Sequence, residues 1–235
     1  MDLVDLIPVF EKKALYYRDG NKFVEVPDSI AVVNSESVVG IVSDVYKLVQ
    51  PRELIVKLLQ ATKMNLLEVH AFGGRVAVKI GDRNMKMYVL NSVDTTTSLS
   101  LVPVFVSGGI ELYGQPLFRR VHKGDIDSAV SYLLKDINKI KGNVKLFIEG
   151  LSKETTEEFK NKVIEYFKLD SKSSRKSSMV LLKGRALDKI EKATTYLDIY
   201  KAVMEYMNGR RLHSARRVFD VVSFVHRVLA DAIFS

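Results

Sequence analysis

The chain has 235 residues, of which 47% are hydrophobic and 27% charged, a balance suited to a folded globular protein and wrong for collagen or intrinsic disorder. It contains no cysteine, which excludes disulfides, thiolate zinc sites, iron–sulfur clusters and a cysteine nucleophile, and suits a reducing compartment. Lys and Arg number 36 against 28 Asp and Glu, a formal net charge of +8, so a polyanionic partner is the first functional class to consider.

The charge is unevenly placed. Residues 1–115 carry 12 basic and 13 acidic side chains, a net of −1, while residues 116–235 carry 24 and 15, a net of +9. The texture changes at the same point, from Val-rich stretches of period 2 to long stretches of period 3.6. The expectation is an α+β protein: an antiparallel or mixed sheet with a β-meander in the first half and a basic helical second half, packed as one composite domain. The start, Met1-Asp2-Leu3-Val4-Asp5, is acidic where a secretory leader would be basic, and no apolar run approaches the roughly 18 residues of a membrane span. A cytoplasmic location, the host cytoplasm for a viral protein, and no membrane partner are expected.

In chain order, Ser37–Val42 reads as a buried strand, followed by a turn at Ser43-Asp44 and a short extended Tyr46–Val49. Pro51 suits the first turn of a helix, where its missing N–H costs nothing. Leu54, Ile55, Leu58 and Leu59 give that helix, over 51–61, one apolar face. From Asn65, Leu67, Val69 and Ala71 alternate with Glu68, His70 and Phe72. Gly73-Gly74 supplies a hairpin turn, and Val76, Val78 and Ile80 then alternate with Arg75, Ala77 and Lys79. Folding about the turn sets Ala71 opposite Val76, Val69 opposite Val78, Leu67 opposite Ile80 and Glu68 opposite Lys79. Gly81-Asp82-Arg83-Asn84 turns the chain into a third strand, Met85–Leu90, whose Met85, Met87 and Val89 continue the apolar face. The other face would show His70, Phe72, Arg75, Lys79, Lys86 and Tyr88, cations beside flat rings, the pairing that single-stranded nucleic acid requires. A sheet face half covered by a helix accounts for the same pattern. Leu99–Val106 reads as a further strand, with Pro103 suggesting an edge or a bulge.

In the second half, Asp125–Lys139 and Ser152–Phe167 read as amphipathic helices. Between Leu169 and Ser178 lies a polar segment, a loop over 170–178, whose Lys172, Arg175 and Lys176 suit phosphate contacts of the sequence-independent kind; a solvated linker is the alternative. Tyr196, Ile199, Tyr200, Val203 and Tyr206 form a stripe that reads as core, closed by Asn208-Gly209. Arg210, Arg211, Arg216 and Arg217 then cluster at a helix–helix junction with Asp220 the nearby acid. A phosphate track explains them; a charged turn or an acidic neighbouring subunit is the other reading.

No P-loop, G-x-G-x-x-G, H-E-x-x-H or G-x-S-x-G pattern occurs. His122 precedes Asp125 and Asp127, a set able to hold a divalent ion, although Asp125 also suits the N-cap of the helix from Ile126. No catalytic residue, metal site or cofactor is assigned.

Several segments together resemble a family of phage/plasmid-like proteins known as a domain of unknown function. Gly40-Ile41-Val42-Ser43-Asp44-Val45-Tyr46-Lys47-Leu48-Val49-Gln50 is similar to the family's G-V-V-S-D-x-Y-x-x-V-Q, and Phe72-Gly73-Gly74-Arg75-Val76 to its Gly-Gly-Arg hairpin. Tyr88–Thr96 resembles its N-S-H-D-G-S segment, Leu101–Val104 its T-P-V-R, Arg120-Val121-His122 its R-H-T, and Tyr196–Tyr206 its W-D-x-x-N-A-x-T-E-Y helix. Val93 and Thr95 replace the family's His and Gly, which argues against chemistry at Asp94. The resemblance implies a viral or plasmid origin and a mixed sheet with helices; it carries no settled activity.

The functional expectation is a non-catalytic, nucleic-acid-binding accessory protein of viral or plasmid replication or recombination that favours single-stranded DNA. Its primary contacts would be Lys172, Arg175, Lys176, Arg210, Arg211, Arg216 and Arg217, with Phe72, Arg75, Lys79 and Tyr88 secondary. Two alternatives stay open: a protein-binding or virion-associated protein, with a homo-oligomer as one form of it, and a metal-dependent nuclease-like enzyme built on His122, Asp125 and Asp127.

Overall fold

The structure, a computed structural model, describes residues 2–35, 37–83, 85–93, 99–107, 110–116, 118–120, 125–170, 177–209 and 214–234. The fold is α+β, with antiparallel sheets in the N-terminal half and helices in the C-terminal half. Contacts divide the chain into two compact units that interleave in sequence: residues Met1–Val104, Pro116–Ile140 and Ser214–Arg216 form the first, and Phe105–Gln115, Lys141–His213 and Arg217–Ser235 the second.

The first unit begins with a 3₁₀ turn, Leu3–Leu6, capped by the Asp2 carboxylate. A three-stranded antiparallel sheet follows: β1 (Glu11–Asp19), β2 (Lys22–Val33) and β3 (Val38–Ser43), in that spatial order. The β1–β2 ribbon lies outside the strands expected from the sequence. Its ladder is broken between Ala14 and Tyr16, where Tyr16 pairs with Glu25 although Ala14 pairs with Ile30. Beyond that break both faces are open, exposing Tyr16, Tyr17 and, at 76%, Phe23. β3 corrects the expected buried strand: it is the last strand of the sheet, only Val42 is buried, and Val38 and Ile41 are exposed. An edge strand has no neighbour to cover its outer flank. Tyr46–Val49 belongs to no strand.

Helix α1 (Pro51–Thr62) has Pro at its first position and buries Leu54, Ile55 and Leu58, as the apolar spacing requires. Upstream chain is tied to it. Arg52 donates to the carbonyls of Ile7 and Asp5, and Gln50 bonds both backbone groups of Phe10.

The second sheet holds β4 (Asn65–Phe72), β5 (Arg75–Gly81), β6 (Lys86–Ser92), β7 (Leu99–Ser107) and β8 (Ile110–Tyr113) in sequential order, with β9 (Phe118–Arg120) also pairing to β7. The meander has the expected register at Ala71–Val76, Val69–Val78 and Glu68–Lys79. Leu67 is the exception. A bulge between Leu66 and Glu68 sets Leu66, not Leu67, opposite Ile80 and leaves Leu67 exposed. Nor is β7 an edge: Pro103 pairs with Met87 of β6 and lies just past Leu101, the last residue paired with β9.

One face of the sheet buries Val76, Val78, Ile80, Met87, Val89 and Leu101, with α1 packed against β5 and Asn91 donating to the Val49 carbonyl at 3.2 Å. The opposite face is buried as well, at Ala77, Lys79, Tyr88, Leu90, Ser100 and Val102.

In the second unit α2 (Ile126–Leu151) ends, followed by α3 (Glu157–Asp170), α4 (Ser177–Glu191), α5 (Tyr196–Gly209), α6 (Ser214–Phe224), a π turn at Val225–Leu229 and α7 (Ala230–Phe234). The expected helix over 152–167 starts later, because Glu154 bridges to Thr195 before α3 begins. Of the expected 170–178 loop, Asp170 ends α3, residues 171–176 lie outside the described residues, and Ser177-Ser178 open α4. Thr195 and Asp198 cap α5 reciprocally: the Asp198 N–H donates to the Thr195 hydroxyl and the Thr195 N–H to the Asp198 carboxylate. Burial pushes the Asp198 carboxyl up, but bonds from Thr195 and Thr194 outweigh it and hold the group below its ordinary value.

The tyrosine stripe is core. Tyr196 lies edge-on to Phe159 at 4.9 Å. The buried Tyr200 hydroxyl accepts from the Tyr113 N–H at 2.7 Å and donates to its carbonyl, and burial raises its phenol well above the ordinary value. Tyr200→Phe deletes a hydroxyl that bonds both Tyr113 backbone groups. It should cost about 2 kcal/mol, read by urea denaturation; a loss below half of that would mean water replaces the hydroxyl.

Candidate nucleic-acid interface

The β4–β5 hairpin turns through Gly73-Gly74. Gly73 sits at φ +57°, a conformation L side chains rarely adopt, and the space where its Cβ would lie is open. Phe72 and Arg75 are the pair that flanks this turn, so both side chains leave the same face. The Val93 N–H donates to the Gly74 carbonyl at 2.8 Å, fixing the turn to the end of β6. Phe72 is 43% exposed.

A cleft of about 370 Å³ opens beside the turn, entirely within the first unit. Phe72, Gly73, Gly74 and Arg75 form one wall, the start of β3 (Ser37, Val38 and Val39) another, and Arg216 of α6 completes it. Arg216, one of the arginines that the sequence clusters after Gly209, thus meets the Gly-Gly-Arg hairpin at one place. The volume suits a small ligand or one unit of a polymer. None of the described lining residues is acidic, and two guanidiniums beside an aromatic ring favour a planar group carrying negative charge.

The remaining predicted contacts divide. Arg217 is half-buried and belongs to the second unit. Lys172, Arg175, Lys176, Arg210 and Arg211 lie outside the described residues. Lys79 and Tyr88 require correction: both are buried and cannot meet a polymer at the surface. They share a cluster with Glu68, whose carboxylate accepts from Lys79 Nζ at 2.8 Å, from the Tyr88 hydroxyl at 3.0 Å and bonds His70 Nε2 at 3.0 Å. Lys79 Nζ also stands 5.4 Å from the Tyr88 ring centroid. Burial raises the Glu68 carboxyl, yet these bonds and the Lys79 charge outweigh it and keep the group below 4.5. The strands alternate as their sequence predicts, but the face that alternation defines is buried at Lys79 and Tyr88 and open at Phe72.

The metal-site alternative finds its carboxylates engaged. Asp125 accepts from the Ser128 N–H at 2.7 Å, the anticipated N-cap of α2, and these bonds lower its carboxyl. Asp127 pairs with Lys57 at 2.6 Å. His122 and Asp94 lie outside the described residues, and among the described residues no three His, Cys, Asp or Glu side chains gather as a metal site would need. No protein-family model, curated protein or solved structure matches the chain. Ser37, Val38 and Val39, which no sequence motif assigns to any site, line the cleft as well. Among the described residues no helix is long and apolar enough to cross a membrane.

Proposed function

We propose that this chain is a non-catalytic nucleic-acid-binding protein that prefers single strands, an accessory of replication or recombination in the viral or plasmid setting that its family resemblance implies. The observation carrying the reading is the convergence of Phe72, Arg75 and Arg216 on one cleft, in a chain whose excess positive charge lies in residues 116–235. Guanidiniums neutralise phosphates and release counterions, so affinity for a labelled oligonucleotide should fall steeply with salt. Replacing Arg216 by Ala should weaken binding several-fold and reduce the log–log salt slope by about 0.7, one phosphate contact on a single strand. Binding that is flat between low and moderate salt would sink the reading.

A protein partner is the second reading, and a different surface favours it. The outer β1–β2 ribbon exposes Tyr16, Tyr17 and Phe23, while Lys12, Lys13, Arg18 and Lys22 are balanced by Glu11, Asp19, Glu25 and Asp28, so nothing there draws a polyanion. A defined oligomeric mass without nucleic acid, lost on Phe23→Ser, would support it.

A further inference from the structure

We infer that the cleft is a clamp for one unpaired nucleobase, with Phe72 as its stacking platform and Arg75 and Arg216 holding the flanking phosphates. This rests on the nucleic-acid reading above and adds what the ligand must present: a free π-face with negative charge beside it.

Three features of the cleft carry the inference. Phe72 is the aromatic ring among the described lining residues, and it stands partly exposed at the rim of the hairpin. Val38 and Val39 add apolar lining to the same cleft; Val38 is 58% exposed. A base stacked on the Phe72 ring would find aliphatic carbon in the same cleft, with the guanidiniums of Arg75 and Arg216 there to take its flanking phosphates. Finally, the walls offer no carboxylate or amide among the described side chains; the hydroxyl there, Ser37, donates to Asn34 Oδ1 at 3.4 Å, and in the clamp the guanidiniums go to phosphates rather than base edges. Stacking without edge readout accepts any base, because every base has a π-face.

The same chemistry explains a preference for single strands. In a duplex each base is stacked on its neighbours and paired, and both interactions must be broken to take one out. At about 370 Å³ the cleft has room for a nucleotide-sized group and not for a double helix. Phosphate contacts alone would not distinguish the two forms, so discrimination falls to the ring.

The test compares a labelled oligothymidylate of about 12 nucleotides with an abasic deoxyribose-phosphate oligomer of equal length and charge, bound to the full chain at one moderate salt concentration. The intact protein should bind the thymidylate roughly tenfold more tightly. Phe72→Ala should erase that difference while leaving affinity for the abasic oligomer unchanged, and Phe72→Tyr should preserve it. Circular dichroism of each variant checks that the fold is retained. Equal binding of both oligomers by the intact protein, with a steep salt dependence, would overturn the clamp and leave the nucleic-acid reading standing. Binding of neither would overturn both. Loss of abasic binding in Phe72→Ala would also overturn the clamp, because the ring would then act on something other than a base.

Discussion

Replacing Glu68 by Ala should destabilise the protein by about 3 kcal/mol, the low end for breaking a buried ion pair. The Lys79 side chain is only 4% exposed, whereas that of Glu68 is 43% exposed. Removing the carboxylate leaves an ammonium in the sheet without the anion 2.8 Å away, and takes an acceptor from Tyr88 and His70. Water reaches Glu68 and cannot reach Lys79, so the two halves of the pair should not cost the same. Lys79→Met fills the space with an apolar chain and leaves a carboxylate that solvent can hydrate; it should cost about 1 kcal/mol or less. Equal losses from the two substitutions would mean that Lys79 is hydrated in solution.

The pair also fixes a pH dependence. The folded Glu68 carboxyl lies below its usual 4.5, so its contribution is fully present above that value and is lost as pH falls through the lower, folded value. Glu68→Gln keeps an oxygen to accept from Lys79 and Tyr88 but has no charge to titrate. The stability gap between wild type and Glu68→Gln should therefore close as pH falls below about 4.5, as denaturant midpoints at a series of pH values would record. A gap that widened over that acid range would contradict this account.

This cluster also marks where the sequence stops being legible. The alternation from Leu67 to Ile80 fixes which residues share a face, and Glu68 does stand opposite Lys79. Nothing in a strand pattern says how far its polar face meets water, and here Lys79 and Tyr88 are buried while the Glu68 that bonds both stays within reach of solvent. Leu67 fails for another reason. Leu66 and Leu67 are adjacent and equally apolar, so period 2 fits either register and the bulge that chooses between them leaves no trace in composition. The β1–β2 ribbon is solvated on both faces over much of its length, so Glu11–Asp19 has no core to impose alternation. Helix α1 and the tyrosine stripe of α5 are legible because each buries one continuous apolar face.

The site divides along the same line. Local chemistry singles out the Gly-Gly-Arg turn and the arginine-rich junction separately, since cations beside rings are visible in sequence. The meeting of Arg216 with the turn is tertiary: it reaches the cleft only because the start of α6 packs with the first unit. Val38 and Val39 give no signal of their own, because an apolar edge looks the same as a core strand until its neighbours are known.

Replacing Gly150 by Ala should produce a loss of similar size in the second unit, opposite in sign to what helix propensity predicts. Ala in a helix interior is favoured over Gly by roughly 1 kcal/mol, and Gly150 lies near the end of the 26-residue α2. Its buried position decides otherwise. A Cβ there would stand 1.9 Å from Ile233 Cγ2 and 3.2 Å from Ile233 Cβ, so α7 must shift or Ile233 must leave its buried site. Moving Ile233 breaks packing at a helix that Lys153 also holds through the Ile233 carbonyl. Overpacking of this kind costs about 3 kcal/mol, a drop in Tm of roughly 6–12 °C for a chain of this size. The clash is with one side chain, which makes it separable. Ile233→Ala alone opens a cavity and should cost about 2–4 kcal/mol, but it removes the atom that the new methyl group on α2 would strike. The double variant should then be more stable than the sum of its parts by more than about 1 kcal/mol, the coupling expected of residues in contact. Additive losses would place the cost of Gly150→Ala in the helix backbone instead, and a stabilised Gly150→Ala would mean that α7 does not press on α2 at this point.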